Sequence, residues 1–238
     1  MSWDIALIFF VLAVIIPWRG RLRLKNLIAM PHVSSVERIA LYASTIAFQW
    51  LAVGVVTWRA WAHDYRAAEL GLTIHNTTRL ISAAIVGAAT IAALQWLNLR
   101  RMGRIPVKSR GLIQAIAGRI LPQSTVELLP FLALAVTAGL CEEFLYRGFA
   151  MAVLARLGSP AWLAILVSSI LFGLAHLYQG RGGFVSTMLI GTVLGSGRVA
   201  YDSLVPVIFW HTAVDVVAGV AGPRYLTEKT AVTNRAVS

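Results

Sequence analysis

Apolar positions in this chain run continuously, and charged positions are gathered into short stretches between the runs. The runs cover residues 5–18, 39–57, 80–99, 125–141, 144–157, 161–178, 184–200 and 204–222. Unbroken Leu, Ala, Ile and Val at this length predict helices that cross a bilayer, whereas strands of a barrel would alternate apolar and polar residues. The pattern predicts an all-α polytopic membrane bundle of about eight transmembrane helices. Several runs, notably the first and the fifth, are shorter than the roughly 20 residues that cross unaided, so tilted or broken helices are expected. Gly158-Ser159-Pro160 and residues 180–183 are the clearest turns, because Gly and Pro in succession interrupt helices.

Composition removes the soluble alternative. Only 13% of the 238 residues are charged, about half of what a soluble domain carries, and the mean hydropathy is +0.73. The net charge of +11 raises nucleic acid as a partner. Its distribution answers against one: Arg19, Arg21, Arg23 and Lys25 follow the first run, and Arg101, Arg104, Lys108, Arg110 and Arg119 lie in the connection 100–123. Basic residues beside apolar spans are retained on the cytoplasmic side and attract anionic lipid. The two clusters are separated by two crossings, so they share a side and the N-terminus lies on the other. Eight crossings would also place the C-terminus there, in conflict with Arg224, Lys229 and Arg235.

Residues 5–16 resemble a signal-peptide core, but Asp4 precedes them and the basic cluster follows, which fits a retained anchor helix. In the connection, Leu112, Ile113, Ile116 and Ile120 recur at helical spacing, as in a helix lying among headgroups; a solvated linker reads equally well. Cys141 is the sole cysteine, so no intrachain disulfide forms, and it reads as a small apolar helix residue. The chain reads as one integral membrane domain, 1–238, of a prokaryotic plasma membrane.

Against this background a few ionisable residues are costly, and an acid within a membrane span is a candidate functional group. Glu142 and Glu143 adjoin, and on a helix they diverge by about 100° and take different roles. Arg147, four residues after Glu143, completes a helical ion pair with it, which leaves Glu142 to face a cavity as a base toward water. Phe172 and His176 lie one turn apart, as do His211 and Asp215. Glu142 to His176 is 34 residues and His176 to His211 is 35, each close to one helical hairpin. Depth agrees less well: His211 lies roughly 10 Å into its run and His176 roughly 22 Å into its own.

The ordered elements Glu142-Glu143-Phe144-Leu145-Tyr146-Arg147, Phe172-Gly173-Leu174-Ala175-His176 and His211-Thr212-Ala213-Val214-Asp215 resemble the CPBP family. This family comprises the type II CAAX prenyl proteases and bacteriocin-processing enzymes, also called ABI, and the resemblance centres on residues 125–221. It implies an intramembrane endopeptidase acting on a membrane-associated protein or peptide, in which Glu142 and His176 activate water. His211 and Asp215 would stabilise the oxyanion or orient its donors, and Glu143 and Arg147 complete the site. The last position is Asn in eukaryotic CAAX proteases and Asp215 here, which aligns the chain with bacterial-type members and leaves a prenylated substrate open.

Family members are described both as metalloproteases and as glutamate-dependent proteases. Glu142, His176, His211 and Asp215 are therefore also candidate zinc ligands; in the glutamate-dependent form, which is preferred, no cofactor is required. A rhomboid-type serine site is incomplete at Leu194-Gly195-Ser196-Gly197, where Ser196 is expected to help helices pack. A non-enzymatic or transport-type protein would use the same ionisable cluster, but with inverted-repeat symmetry that is not found.

Overall fold

The computed structural model describes residues 2–227, with the backbone alone for residues 107–110. Among the described residues every regular element is a helix. Eight helices follow in order: α1 (Trp3–Ala29), α2 (Ser35–Ala62), α3 (Thr77–Gly103), α4 (Val107–Ile120), α5 (Thr125–Arg156), α6 (Ala161–Ala175), α7 (Gly180–Tyr201) and α8 (Val205–Leu226). Six are long and apolar enough to cross a membrane; α4 and the 15-residue α6 are shorter. The chain is a multi-pass integral membrane protein.

Local sequence sets the helix starts. Ser34 and Glu37 form a reciprocal capping box at α2, with the Ser34 amide donating to the Glu37 carboxylate at 2.8 Å. The Asn76 side chain accepts from the Arg79 amide at the start of α3, and Pro206 occupies the first turn of α8, where its missing N–H costs no bond.

Two helices extend beyond their apolar runs. α1 continues through its basic cluster to 27 residues, so it is not short. Runs 125–141 and 144–157 are one helix, α5, because Glu142, Glu143 and Arg147 lower hydropathy without breaking a helix as Gly or Pro would. α5 includes a π-helical turn over Phe144–Ala150, directly after the glutamate pair; such turns insert one extra residue and recur at functional sites. The count of eight survives because the basic connection supplies α4. That helix breaks at Gly111 (φ 49°), and the stripe expected at Leu112, Ile113, Ile116 and Ile120 is only partly used: Ile116 and Ile120 are half-buried while Leu112 and Ile113 are exposed.

The merger changes the parity of the path. With the shorter α6 counted as a passage beside the six long spans, the end of α8, with Arg224, lies at the same end of the bundle as both basic clusters, where Tyr225 meets Gly103 and Gly222 meets Leu121, and the conflict over Arg224 disappears. The side chains of Lys108 and Arg110, and all of Lys229 and Arg235, lie outside the described residues.

α5 is the central helix: half of its apolar window is buried, against a third or less in the other long spans. Phe149, Ala150, Phe172, Leu194 and Val207, from α5, α6, α7 and α8, form the main core. At the basic end, Glu127 of α5 is almost fully buried. It accepts from Ser35 Oγ at 2.5 Å, Arg38 Nε at 2.8 Å and the Gln123 amide at 2.6 Å. Arg38 and Tyr42 also donate to the Arg119 and Ile120 carbonyls, satisfying the C-terminal end of α4.

At the opposite end, Arg156 ties the loop of residues 63–76 to α5 through the His63 and Asp64 carbonyls and the Glu69 carboxylate. Hydrogen bonds from Arg156 and from the Arg66 amide hold the Glu69 carboxyl down to about 2. The turn before α8 is tucked beneath this loop: the Leu204 amide donates to the Gly71 carbonyl at 2.8 Å, Ser203 Oγ donates to the Thr73 carbonyl at 3.0 Å, and both residues are buried. α8 therefore starts deep, which brings His211 to the level of the other site residues and absorbs the depth difference.

A seven-passage path predicts that a reporter fused after Leu226 is active on the cytoplasmic side and that a tag before Trp3 is reached from outside. Both termini on one side would contradict it.

Candidate active site

The centre of the bundle is organised by one carboxylate. Glu143 is completely buried, and its Oε1 accepts from Arg147 Nη1 at 2.8 Å and bonds His211 Nδ1 at 2.7 Å. The expected helical clamp between Glu143 and Arg147 forms, and the same glutamate also holds a histidine from α8. Arg147 is buried as completely. Its guanidinium carbon sits 4.2 Å from the Phe172 ring centre, a cation–π contact strengthened by desolvation. Gly191 of α7 makes room for it, since a Cβ there would lie 2.9 Å from Arg147 Nη2.

With Nδ1 committed to Glu143, His211 turns Nε2 toward the remaining acids. Asp215 Oδ2 is 3.6 Å away and Glu142 Oε2 is 4.0 Å away. Glu142 points differently from its neighbour, as the helical geometry requires. Its Oε1 accepts from Gln49 Nε2 of α2 at 2.7 Å, and its Oε2 has no protein hydrogen-bond partner.

His176 ends α6 and bonds the Phe172 carbonyl through Nδ1 at 3.0 Å, which leaves Nε2 free of that contact. Phe172 joins the two histidines: its ring centre lies 4.8 Å from that of His176 and 5.5 Å from that of His211, both edge-on, with Tyr146 at 5.4 Å. Glu142, Gln49, Tyr146 and His176 line a half-open cavity of roughly 240 Å³ between α1, α2 and α5. Its walls continue along Arg19, Arg23, Leu27 and Leu41, toward the basic end. His211 and Asp215 stand behind Glu142 and do not form the cavity wall. All six candidate residues thus fall in one neighbourhood, with His176 related to the rest through Phe172 and the cavity rather than through a direct bond to Glu142.

Comparison with known proteins covers part of the chain. Residues 124–217 match the family model described as Type II CAAX prenyl endopeptidase Rce1-like, a span that contains all three motifs. This segment is similar to the Rce1-like family. The match supports a peptidase of CAAX-protease-like type. No curated protein and no solved structure matches the chain.

Among the described residues no three of His, Cys, Asp and Glu converge as a ready ligand set. His211 Nδ1 is held by Glu143, and its Nε2 is 3.6 Å from Asp215 Oδ2 and 4.0 Å from Glu142 Oε2, spacings close to those of groups that share an ion at about 2.0–2.2 Å. Cys141 is buried beside the site, in keeping with its reading as a small apolar residue. Ser196 is exposed on α7, so the expectation that it packs helices together is corrected: the buried Gly191, Gly195 and Gly197 do this.

Gln49 was not among the expected site residues. It is 92% buried by its 8% exposure and lies outside the matched segment. An isolated amide within an otherwise apolar span was its only signal, by the same reasoning that marked Glu142.

Removing one partner of a buried pair leaves an uncompensated charge, at a cost of about 3–5 kcal/mol. Arg147→Met is expected to lose that much in reversible unfolding in detergent. A Glu143→Leu/Arg147→Met double variant should lose markedly less than the sum of the single variants, and additive losses would show that the two residues are not coupled.

Proposed function

We propose that the chain is an intramembrane endopeptidase in which Glu142 activates water for attack on a peptide carbonyl. The observation that carries this reading is the division between adjacent acids. Glu143 is fully buried with Oε1 shared by Arg147 and His211, whereas Glu142 lines a cavity with Oε1 held by Gln49; both acids leave Oε2 without a protein partner, and only that of Glu142 belongs to a cavity-lining residue.

In this mechanism Glu142 takes a proton from water as the water oxygen bonds to the carbonyl carbon. The negative charge that develops on the carbonyl oxygen is met by His176 from the cavity wall, and His211, behind Glu142 with Nε2 4.0 Å from Glu142 Oε2, adds a positive field when doubly protonated. Glu142 then gives its proton to the amide nitrogen as the C–N bond breaks, releasing an amine and an acid. Asp215, 3.6 Å from His211 Nε2, orients that ring. Glu143 and Arg147 fix its other edge and the pitch of α5. No step passes through a metal.

The substrate in this reading is a peptide or protein segment delivered from the bilayer. The cavity lies between helices and reaches toward the basic end, so a membrane-associated chain enters from the cytoplasmic half. Residues 125–221 form the catalytic core of a single membrane domain, and α1, α2 and Ile120 of α4 complete the cavity walls. Asp215 in place of Asn favours a bacterial-type enzyme of a prokaryotic plasma membrane, acting on substrates that need not be prenylated.

Glu142→Gln is expected to abolish cleavage of a membrane-embedded reporter peptide while leaving expression and thermal unfolding close to wild type. Retained turnover would remove Glu142 as the base. Wild-type protein should keep its activity through chelator treatment and carry no stoichiometric zinc; loss of activity that zinc restores would contradict the metal-free mechanism.

A further inference from the structure

Arg19 and Arg23 lie one turn apart on α1, and both line the cavity that holds Glu142 and His176. Arg21 and Lys25, exposed as Arg19 also is, are not part of its wall. Retention of positive charge on the cytoplasmic side is indifferent to helix face. It accounts for four basic residues in this stretch, but not for two of them turning into the cavity.

Neutral groups hold these two cations. Arg23 donates to Thr45 Oγ1 at 3.0 Å, Ser44 Oγ at 2.5 Å and the Leu41 carbonyl at 3.3 Å. The Arg19 guanidinium carbon lies 4.0 Å from the Phe48 ring centre. Among the described residues neither makes an ion pair with a carboxylate. Like charges four residues apart on a helix repel, and an anion between them would turn that cost into attraction.

Their depth relates them to the reacting position. Phe48 and Thr45 are one and four residues from Gln49, which holds Glu142. At 1.5 Å per residue the cations contact α2 about 2–6 Å along the axis from the level of Glu142, toward the basic end. An extended peptide advances about 3.3 Å per residue, so an acidic group about one or two residues from the bond under attack would reach them.

We propose that Arg19 and Arg23 form a carboxylate-binding subsite, which selects peptides carrying an acidic group within about two residues of the cleaved bond. The group is a terminal or a side-chain carboxylate, and the chemistry of recognition is the same for both. The proposal rests on the proteolytic reading above, and the test separates the two.

Binding is measured on the full chain in nanodiscs of zwitterionic lipid, with the Glu142→Gln variant and fluorescent apolar peptides. One peptide ends in a free carboxylate, one in a carboxamide, and a third set combines the carboxamide with a single Asp moved along the sequence. Peptides with an acid should bind about 10-fold or more tightly than the uncharged one, as charge-assisted hydrogen bonds provide. That preference should collapse in Arg19→Gln/Arg23→Gln and survive Arg21→Gln. Which acid confers it distinguishes terminal from side-chain recognition. Arg19→Gln alone, which gives up only the Phe48 contact, should lose part of the preference even if replacement of Arg23 prevents folding. Equal binding of charged and uncharged peptides, or a preference untouched by both arginine replacements, would overturn the subsite. Wild-type protein that binds acidic peptides selectively yet cleaves none would overturn the proteolytic reading and leave the subsite standing as a binding site.

Discussion

The structure depends on a single desolvated carboxylate that two partners share. Glu143 is buried at the middle of α5, and an unpaired charge there would cost several kcal/mol. Arg147 and His211 offset that cost through Oε1, and their demands propagate outward. Arg147 requires the space above Gly191 and the face of Phe172. His211 requires α8 to start deep, which the loop of residues 63–76 secures by bonding the turn before it. α5 must remain continuous through the charged stretch, since Glu143 and Arg147 meet only as members of one helix. The ion pair therefore determines how α5, α7 and α8 pack.

The adjacent acids thus divide their labour by environment. Identical in chemistry and adjacent in sequence, they differ because a helix turns neighbours onto different faces. Glu143 faces a cation and an imidazole in the core; Glu142 faces Gln49 and the cavity. The two ends of the bundle differ as well. Beyond the core, the 63–76 loop closes one end through Arg156, Leu204 and Ser203. The cavity instead extends along α1 and α2 toward the basic clusters. A peptidase working inside a membrane needs both a polar chamber and a way in from one side, and the asymmetry of the bundle provides them.

Much of the fold was legible in the chain. Continuous apolar runs identified a helical membrane bundle, and Gly158-Ser159-Pro160 marked the turn between α5 and α6. Helix continuity was not legible, because hydropathy reports the solvent a residue prefers and says little about where backbone hydrogen bonding stops. For that reason α1 extends through its arginines and α5 through its glutamates, and the changed parity explains Arg224. The pairing of Glu143 with Arg147 could be read from four-residue spacing. The second bond, to His211, could not, because it depends on the depth at which α8 starts and hence on Gly71 and Thr73, far away in sequence. Gln49 was hidden for a similar reason: one amide in an apolar span carries no motif, and only packing of α2 against α5 brings it to Glu142.

Direct attack by water held at Glu142 is tested most simply by a single turnover in H₂¹⁸O with enzyme in excess over peptide. Each new carboxylate should carry one ¹⁸O atom in that first turnover, because the attacking oxygen comes from solvent and no oxygen of the protein enters the product. Unlabelled product acid in the first turnover would mean that a carboxylate oxygen of the enzyme had attacked the substrate, and would contradict the role of Glu142 as a base.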